Sequence, residues 1–382
     1  MHVHHEHPVD DNRRHLALID DAGEPIPVVS EFLRHLAARD YSPNTLSAYA
    51  YDLLHFFRFL ARNHLTVDAF APPQALILLD YLRRVPSRRP AQRLGIVAPM
   101  VDEDEPAPRL AAATINRILA AVSSFYEYLI LTDQLPDRAN PTQKVEETVA
   151  ARGAGRRSAF PGRSGRQRPV RRAIRVKTVQ RAPRPLSEAQ VALLLGSLRR
   201  WRDKAMLLLM LQGGLRPGEV LNLHLEDIQY GRRRVVVRYR SDHPKGVRTK
   251  SRRERVVDLH EPAALHAVSA YVMGERPTDG AHPQVFLVGG KGGRRCDPLG
   301  YDALVRLFAR HCDRVGIRAP WVTPHALRHT HATRMWEGGM RELTLQQRLG
   351  HASPDSTRLY TRVSDPVVVA EYRRALGDEE PQ

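Results

Sequence analysis

The sequence predicts a mainly α protein with one small antiparallel β-sheet, an α+β chain built on two cores. Apolar residues recur at helical spacing through most of 25–140 and again after 185. Two short β-branched runs, RRRVVVRYR and RRERVVDL, interrupt that period in the second region alone. The 382 residues exceed one average core, and a stretch rich in Gly, Pro and Arg separates the two periodic regions.

Residues 1–24 contain His2, His4, His5 and His7 without helical periodicity, so a flexible His-rich tail is expected. Neutral imidazoles can ligate transition metals, but this spacing matches no metal motif and no metal is assigned. Asp40, Ser42 and Pro43 then divide two amphipathic helices. The first turns Leu33, Leu36 and Ala37 inward; the second turns in Leu46, Tyr49, Leu53, Phe56, Phe57 and Leu60. A third helix is expected over 73–84, and the Pro-rich stretch 85–109 reads as a surface loop. A fourth begins near Thr114, with Ile115, Ile118, Leu119, Val122, Phe125 and Tyr126 on one face. These helices form a compact domain over 25–140.

The net charge of +17 predicts a field that attracts polyanions, with nucleic acid the leading partner class. Membrane is the competing polyanion, but no apolar run reaches the roughly 18–20 residues a bilayer span needs, and the N-terminus lacks a signal-peptide core. A soluble cytoplasmic, nucleoid-associated protein is expected. Cys296 and Cys312 lack CxxC spacing, which argues against a disulfide framework or a cysteine zinc site. From 152 to 184 there are twelve Lys or Arg and no acid, most of the net charge in one segment. Such a stretch cannot bury enough surface to offset its ordering entropy, so 141–184 is expected to be a basic linker along a phosphate backbone. Arg171 and Arg172 in that linker, with Asn44, Thr45, Tyr49, Thr114, Asn116 and Arg117 near the turns of the first domain, are the candidate DNA contacts.

The second domain starts at Pro183–Leu186, where Ser187 can cap a helix with Leu193, Leu194 and Leu198 inward. The apolar helix in DKAMLLLMLQGG stops at Gly213 and Gly214. Arg216 follows in the turn, with Pro217 at the first position of the next helix and Glu219 placed to pair with the arginine. Five fixed guanidinium donors suit two-point recognition of phosphate oxygens. The β-branched runs flank a basic hairpin holding Lys245 and Lys250, where a lysine can protonate a leaving oxygen. In VTPHALRHTHATRMWEGG, Thr323 and Pro324 open a helix that carries His325 and Arg328 one turn apart. A shorter helix, with Leu345 and Leu349 inward, ends at Gly350 and delivers His351; Ser353 and Pro354 then open a helix bearing Tyr360. A zinc site at His325, His329 and His331 is disfavoured by the absence of HExxH spacing.

GGLRPGEVLNL, TKSRRERVVDL, TPHALRHTHAT and LGHASPDSTRLYTRV together resemble the ordered motifs of the tyrosine recombinases, the family of phage integrases, Xer-type resolvases and transposon recombinases. The resemblance implies a helical, SAM-like core-binding domain at 25–140, a catalytic domain at 185–365, and a C-shaped clamp on DNA. By position it assigns catalytic roles to Arg216, Lys250, His325, Arg328, His351 and Tyr360. It implies cleavage and rejoining of DNA through a covalent 3′-phosphotyrosine and a Holliday junction, with no cofactor, metal or ATP. It also implies a homotetramer on paired double-stranded DNA sites, with accessory DNA-bending or directionality proteins as further partners, and a C-terminal segment, 366–382, that docks as a helix on a neighbouring protomer or packs on its own. The arginine-rich segment is much longer than the family's usual linker. A type IB topoisomerase would use a similar residue set for DNA relaxation. A metal-dependent nuclease would need a carboxylate cluster that the sequence lacks, and a non-catalytic DNA-binding regulator would leave the ordered constellation unexplained.

Overall fold

The computed structural model describes residues 1–6, 15–87, 109–136, 138–142, 144–146, 170–172, 174–178, 184–249, 254–278 and 282–351. It is mainly helical, with three small antiparallel sheets, and divides into two compact units, one formed by the described residues up to 178 and the other by those from 184 onward.

The first unit opens with β1 (His2–Glu6) paired to β2 (His15–Ile19). This differs from the expected flexible tail: alternation in the strands places Val3, Leu16 and Leu18 on the helical core, and that burial supplies what the histidines alone would not. Helices α1 (Pro27–Ala38) and α2 (Pro43–Arg62) are divided at residues 40–43 as expected, and α3 (Pro72–Arg84) and α4 (Ala112–Leu131) begin within two residues of their expected starts. Ser42 caps α2 by accepting from the Thr45 N–H at 3.2 Å. The apolar faces of α1, α2 and α4 meet in an aromatic cluster in which Phe125 is fully buried, edge-on to Phe32 at 5.4 Å between ring centroids.

Part of the expected linker is attached to this unit. β3 (Lys144–Glu146) pairs with β4 (Val170–Arg172), and Ile174 and Val176 pack against the helical core. Asn116 holds the second contact in place: its Oδ1 accepts from the Val176 N–H at 2.8 Å, and its Nδ2 donates to the Val176 carbonyl at 2.9 Å. Residues 147–169 and 179–183 of the linker lie outside the described residues, as does the interior of the expected 85–109 loop, whose ends meet at a Pro86–Arg109 bridge.

The second unit runs α5 (Glu188–Gly196), α6 (Trp201–Gln212), α7 (Pro217–Leu221), the sheet β5 (Ile228–Gln229), β6 (Arg234–Val237), β7 (Arg255–Asp258), then α8 (Pro262–Gly274), α9 (Tyr301–Arg314), α10 (Pro324–Glu337) and α11 (Glu342–Leu349). Its buried α6 packs against both α8 and α10, as its nearly continuous apolar sequence requires. β6 and β7 pair antiparallel as expected, and β5 adds a short third strand. Ser187 and Gln190 form a reciprocal capping box at α5. Leu193 is a correction: it is exposed, because α5 is covered on one side only, where Val191 and Leu194 are buried. Among the described residues no helix is long and apolar enough to cross a membrane.

Replacing Phe125 with Ala should remove about 3–5 kcal/mol from the first unit. All three tryptophans, Trp201, Trp321 and Trp336, lie in the second unit. Circular dichroism in guanidinium should therefore show an earlier transition in the variant while tryptophan fluorescence shifts less; coincident shifts would mean that the two cores unfold together.

Candidate active site

Gly214 adopts φ +64, the left-handed geometry expected where α6 ends, and a Cβ there would collide with the His331 ring. The turn it makes places Arg216 at the N-cap of α7, directly before Pro217. Glu219, three residues on, accepts from the Arg216 backbone N–H at 2.8 Å through Oε2 and from Arg216 Nη1 at 2.7 Å through Oε1. The expected pairing of these residues is therefore present, and Glu219 is almost fully buried.

A third residue closes on the same carboxylate. Arg255, the first residue of β7, donates through Nη1 to Glu219 Oε1 at 2.9 Å and through Nη2 to Oε2 at 2.7 Å, a two-point fork. Its Nε donates to the Arg348 carbonyl at 2.9 Å. Arg328 Nη1 lies 4.0 Å from Glu219 Oε2. Burial alone would push the Glu219 carboxyl up, but the Arg255 hydrogen bonds and charge, with Arg216 and Arg328 behind them, bring it down to about 2.

The arginines also fasten the end of α11, whose last carbonyls have no intrahelical donors. Arg328, buried on α10, donates to the Leu349 carbonyl at 2.7 Å and to the Gly214 carbonyl. Arg216 Nη2 donates to the Gly350 carbonyl at 3.0 Å. Gly350 takes φ +63 as the left-handed stop of α11, and a Cβ on it would stand 2.8 Å from Arg255 Nη1. His351 follows directly. Its imidazole is driven down to about 3, first by burial and then by the charges of Arg328, Arg216 and Arg255, so it is neutral near pH 7.

Behind this cluster, His331 and Arg348 lock α10 to α11. The His331 Nδ1 faces the Leu211 carbonyl at 2.9 Å, and its Nε2 accepts from Arg348 Nε at 3.0 Å, which assigns the ring proton to Nδ1. Both ring nitrogens are thereby occupied. Burial, reinforced by Arg348, brings this imidazole down to about 3. Arg348 Nη2 reaches the Gln212 and Asp258 carbonyls, both at 3.1 Å.

The structure thus gathers Arg216, Arg328 and His351 around the α11 terminus. His325 lies in the first turn of α10, exposed, one turn before Arg328. Thr323 occupies the expected N-cap position, but its side chain makes no capping hydrogen bond. Lys250 and Tyr360, and the C-terminal segment 366–382, lie outside the described residues. The loop before Lys250 is anchored: Thr249 Oγ1 accepts from the Arg240 N–H at 2.8 Å and donates to its carbonyl at 3.0 Å. Lys245 on this loop is paired with Asp297 at 2.7 Å. Sequence reasoning missed Arg255, Arg348 and His331 as parts of the site. For Arg255 the available signal was its place in the TKSRRERVVDL motif, five residues after Lys250.

In the first unit, Asn44, Thr45, Tyr49 and Arg117 share a groove of about 340 Å³ between α2 and α4, together with Asp52. Arg117 Nη2 donates to the buried Asp52 Oδ1 at 3.0 Å, and burial pushes that carboxyl up to about 6 against the pull of Arg117. Thr114 is half-buried in the first turn of α4, and the Asn116 amide is engaged with Val176. The backbone of Arg171 and Arg172 lies in β4; their side chains are outside the described set.

A mainly helical unit in which three arginines converge on one carboxylate, beside a neutral imidazole, is built to receive an anion and to stabilise charge that develops on it, the class of site that serves phosphoryl transfer. Residues 184–366 match the phage integrase family, and residues 29–93 match the phage integrase N-terminal SAM-like domain. The chain is 32% identical over 230 residues to tyrosine recombinase XerD of Mycobacterium tuberculosis, covering 56% of this chain and 68% of that protein. It is 27% identical over 366 residues to transposase A from transposon Tn554 of Staphylococcus aureus, covering 95% and 94% of the two chains. The fold is similar to that of the Tn1549 transposon integrase in complex with transposon right end DNA, with a TM-score of 0.60 at 18% identity over 91% of this chain and 98% of that one. It is also similar to a lambda integrase dimer bound to a core site, with a TM-score of 0.54 at 17% identity over 89% and 97%. The chain belongs to the phage integrase family, the tyrosine recombinases, which are enzymes of site-specific DNA recombination.

Protonation should unseat this site. Glu219 stays ionised to about pH 2 in the folded chain, so the stability it lends is present above its ordinary 4.5 and is lost as pH falls towards 2. His331 and His351 resist protonation to about pH 3, whereas in the unfolded chain they take protons from about 6.5 downwards. Both effects carry one sign. The thermal midpoint should decline steadily from pH 6.5 towards 3.5, and a flat profile over that range would show that these histidines are not held neutral.

Proposed function

We propose that the chain is a site-specific DNA strand transferase in which Tyr360 attacks a phosphodiester held by Arg216 and Arg328. The observation that carries this reading is the meeting of both arginines on the last carbonyls of α11, directly before His351. Tyr360 follows nine residues later in the chain, short enough for the helix expected from Ser353 and Pro354 to return it to the same place.

A phenol near neutral pH is protonated, so attack needs a proton acceptor and a field that favours the phenolate. The neutral His351 can accept that proton or donate a hydrogen bond to a non-bridging oxygen, and His325 is the second candidate for these tasks. As the tyrosyl oxygen bonds to phosphorus, negative charge gathers on the non-bridging oxygens, where preorganised arginine donors of this type contribute roughly 3–4 kcal/mol each. The bond from phosphorus to the 5′ oxygen breaks, and Lys250 gives that oxygen its proton. The products are a 3′-phosphotyrosine and a free 5′-hydroxyl. The phosphoester bond is conserved in number, so a 5′-hydroxyl from a second duplex can reverse the step without ATP.

Exchange between two duplexes requires paired sites, and we assign the assembly as a homotetramer passing through a Holliday junction, with the 366–382 segment docking on a neighbouring protomer. The groove holding Asn44, Thr45, Tyr49 and Arg117 is the proposed duplex-facing surface of the first unit, extended by the basic residues of 141–184. Accessory DNA-bending or directionality proteins would set the outcome among integration, excision, inversion and resolution.

The test uses nicked duplexes with a randomised centre, incubated with the protein in EDTA. Wild-type protein should form a covalent adduct on a denaturing gel, Tyr360→Phe should form none, and the trapped DNA should share one sequence. No adduct from wild-type protein across the pool would reject the enzymatic reading. Relaxation of supercoiled plasmid lacking paired sites would instead identify a topoisomerase.

A further inference from the structure

Glu219 poses a problem for the site that holds it. A carboxylate beside an arginine prefers a two-point fork with that arginine, which would neutralise it and draw its donors away from any other anion. Arg216 is the arginine nearest in sequence, three residues before Glu219, yet its guanidinium makes only one hydrogen bond to the carboxylate. The fork belongs to Arg255, which donates to both oxygens.

The consequences can be counted in donors. Arg255 uses Nε, Nη1 and Nη2 on Arg348 and Glu219, and its side chain is only 7% exposed, so it is poorly placed to touch a ligand itself. Arg216 is 17% exposed, and among the described residues its guanidinium makes one bond to Glu219 and one to the Gly350 carbonyl. The remaining three of its five N–H groups are available to an anion. Three arginines face one carboxylate, which leaves the cluster with surplus positive charge.

We propose that Arg255 is a positioning residue of this site: by taking both oxygens of Glu219, one of which also accepts from the Arg216 backbone N–H, it limits that carboxylate to a single contact with the Arg216 guanidinium and keeps the guanidinium open to a phosphate oxygen. This deepens the reading of the site as a phosphodiester-binding centre and rests on it. Arg255 acts on the ligand through Glu219 and Arg216, and also through the α11 terminus, because its Nε holds the Arg348 carbonyl three residues before His351. Gly350 is part of the same arrangement, since any side chain there would press on the Arg255 guanidinium.

A second-site rescue separates this role from a purely structural one. Arg255→Gln frees Glu219 to fork onto Arg216, so anion binding should weaken at least tenfold. The double variant Arg255→Gln, Glu219→Gln removes the competing carboxylate as well, and binding should recover most of that loss. The probe is inorganic phosphate, followed by the His351 ring signal in NMR, with circular dichroism to confirm that each variant is folded. Arg255→Lys, which keeps the charge and loses the fork, should fall between wild type and Arg255→Gln. If the double variant binds phosphate as weakly as Arg255→Gln, or if Arg255→Gln binds like wild type, Arg255 does not act by restraining Glu219. The rate of covalent adduct formation on the trapped duplex should rank the variants in the same order. Wild-type protein that binds phosphate with this ranking yet forms no adduct would leave the positioning role standing and remove the strand-transfer reading.

Discussion

The carboxylate of Glu219 is the interaction on which the catalytic unit depends. It is nearly fully buried, and an isolated buried carboxylate would be costly. Here the charge is compensated by Arg255, Arg216 and, at 4.0 Å, Arg328. Each of these comes from a different element: β7, the N-cap of α7, and α10. One small anion therefore draws together parts of the chain that apolar packing alone would leave free to slide, because the arginines have fixed fork geometry where leucines do not. Three cations around one carboxylate also leave the site short of negative charge, a deficit that the phosphodiester of the proposed function would fill.

The same cluster solves the end of α11. Helix C-termini carry orphan carbonyls and partial negative charge. In this unit the carbonyls of Arg348, Leu349 and Gly350 are taken by Arg255, Arg328 and Arg216 respectively. The arginines that cap α11 are the same ones to which the proposed function gives the phosphodiester, so the position of His351 follows from the arrangement that stabilises the fold. His331 and Arg348 support it from behind, with both imidazole nitrogens engaged. The neutrality of His351 then has a physical origin: it is partly removed from water and surrounded by fixed positive charge.

The first unit uses a different strategy. Its core is an aromatic and leucine cluster with little polar content, and the buried Asp52 meets Arg117 in the groove between α2 and α4. The N-terminal strands and the Ile174–Val176 region lie on that helical core although the first strand is mostly histidine and the second contact lies in an arginine-rich segment. Composition misleads there because a few alternating apolar residues, Val3, Leu16, Leu18, Ile174 and Val176, suffice to attach a segment to a core that already exists.

By itself the sequence indicated most of the helices, α8 and α9 excepted, and the order of the candidate site residues. Apolar period, glycine stops at Gly214 and Gly350, and the prolines at Pro43, Pro217 and Pro324 are local signals that act over a turn or two. Arg216, Lys250, His325, Arg328, His351 and Tyr360 could be named before any contact was seen because they stand in ordered motifs that resemble those of the tyrosine recombinases. Only the tertiary structure decided which side chains share Glu219. Arg255 meets it from 36 residues away, and Arg328 reaches the Gly214 carbonyl across 114. The outward face of Leu193 was likewise settled by where neighbouring elements stop covering α5. Local signals cannot encode these pairings, because a guanidinium fork is satisfied by geometry between separate elements, and that geometry exists only once the units have packed.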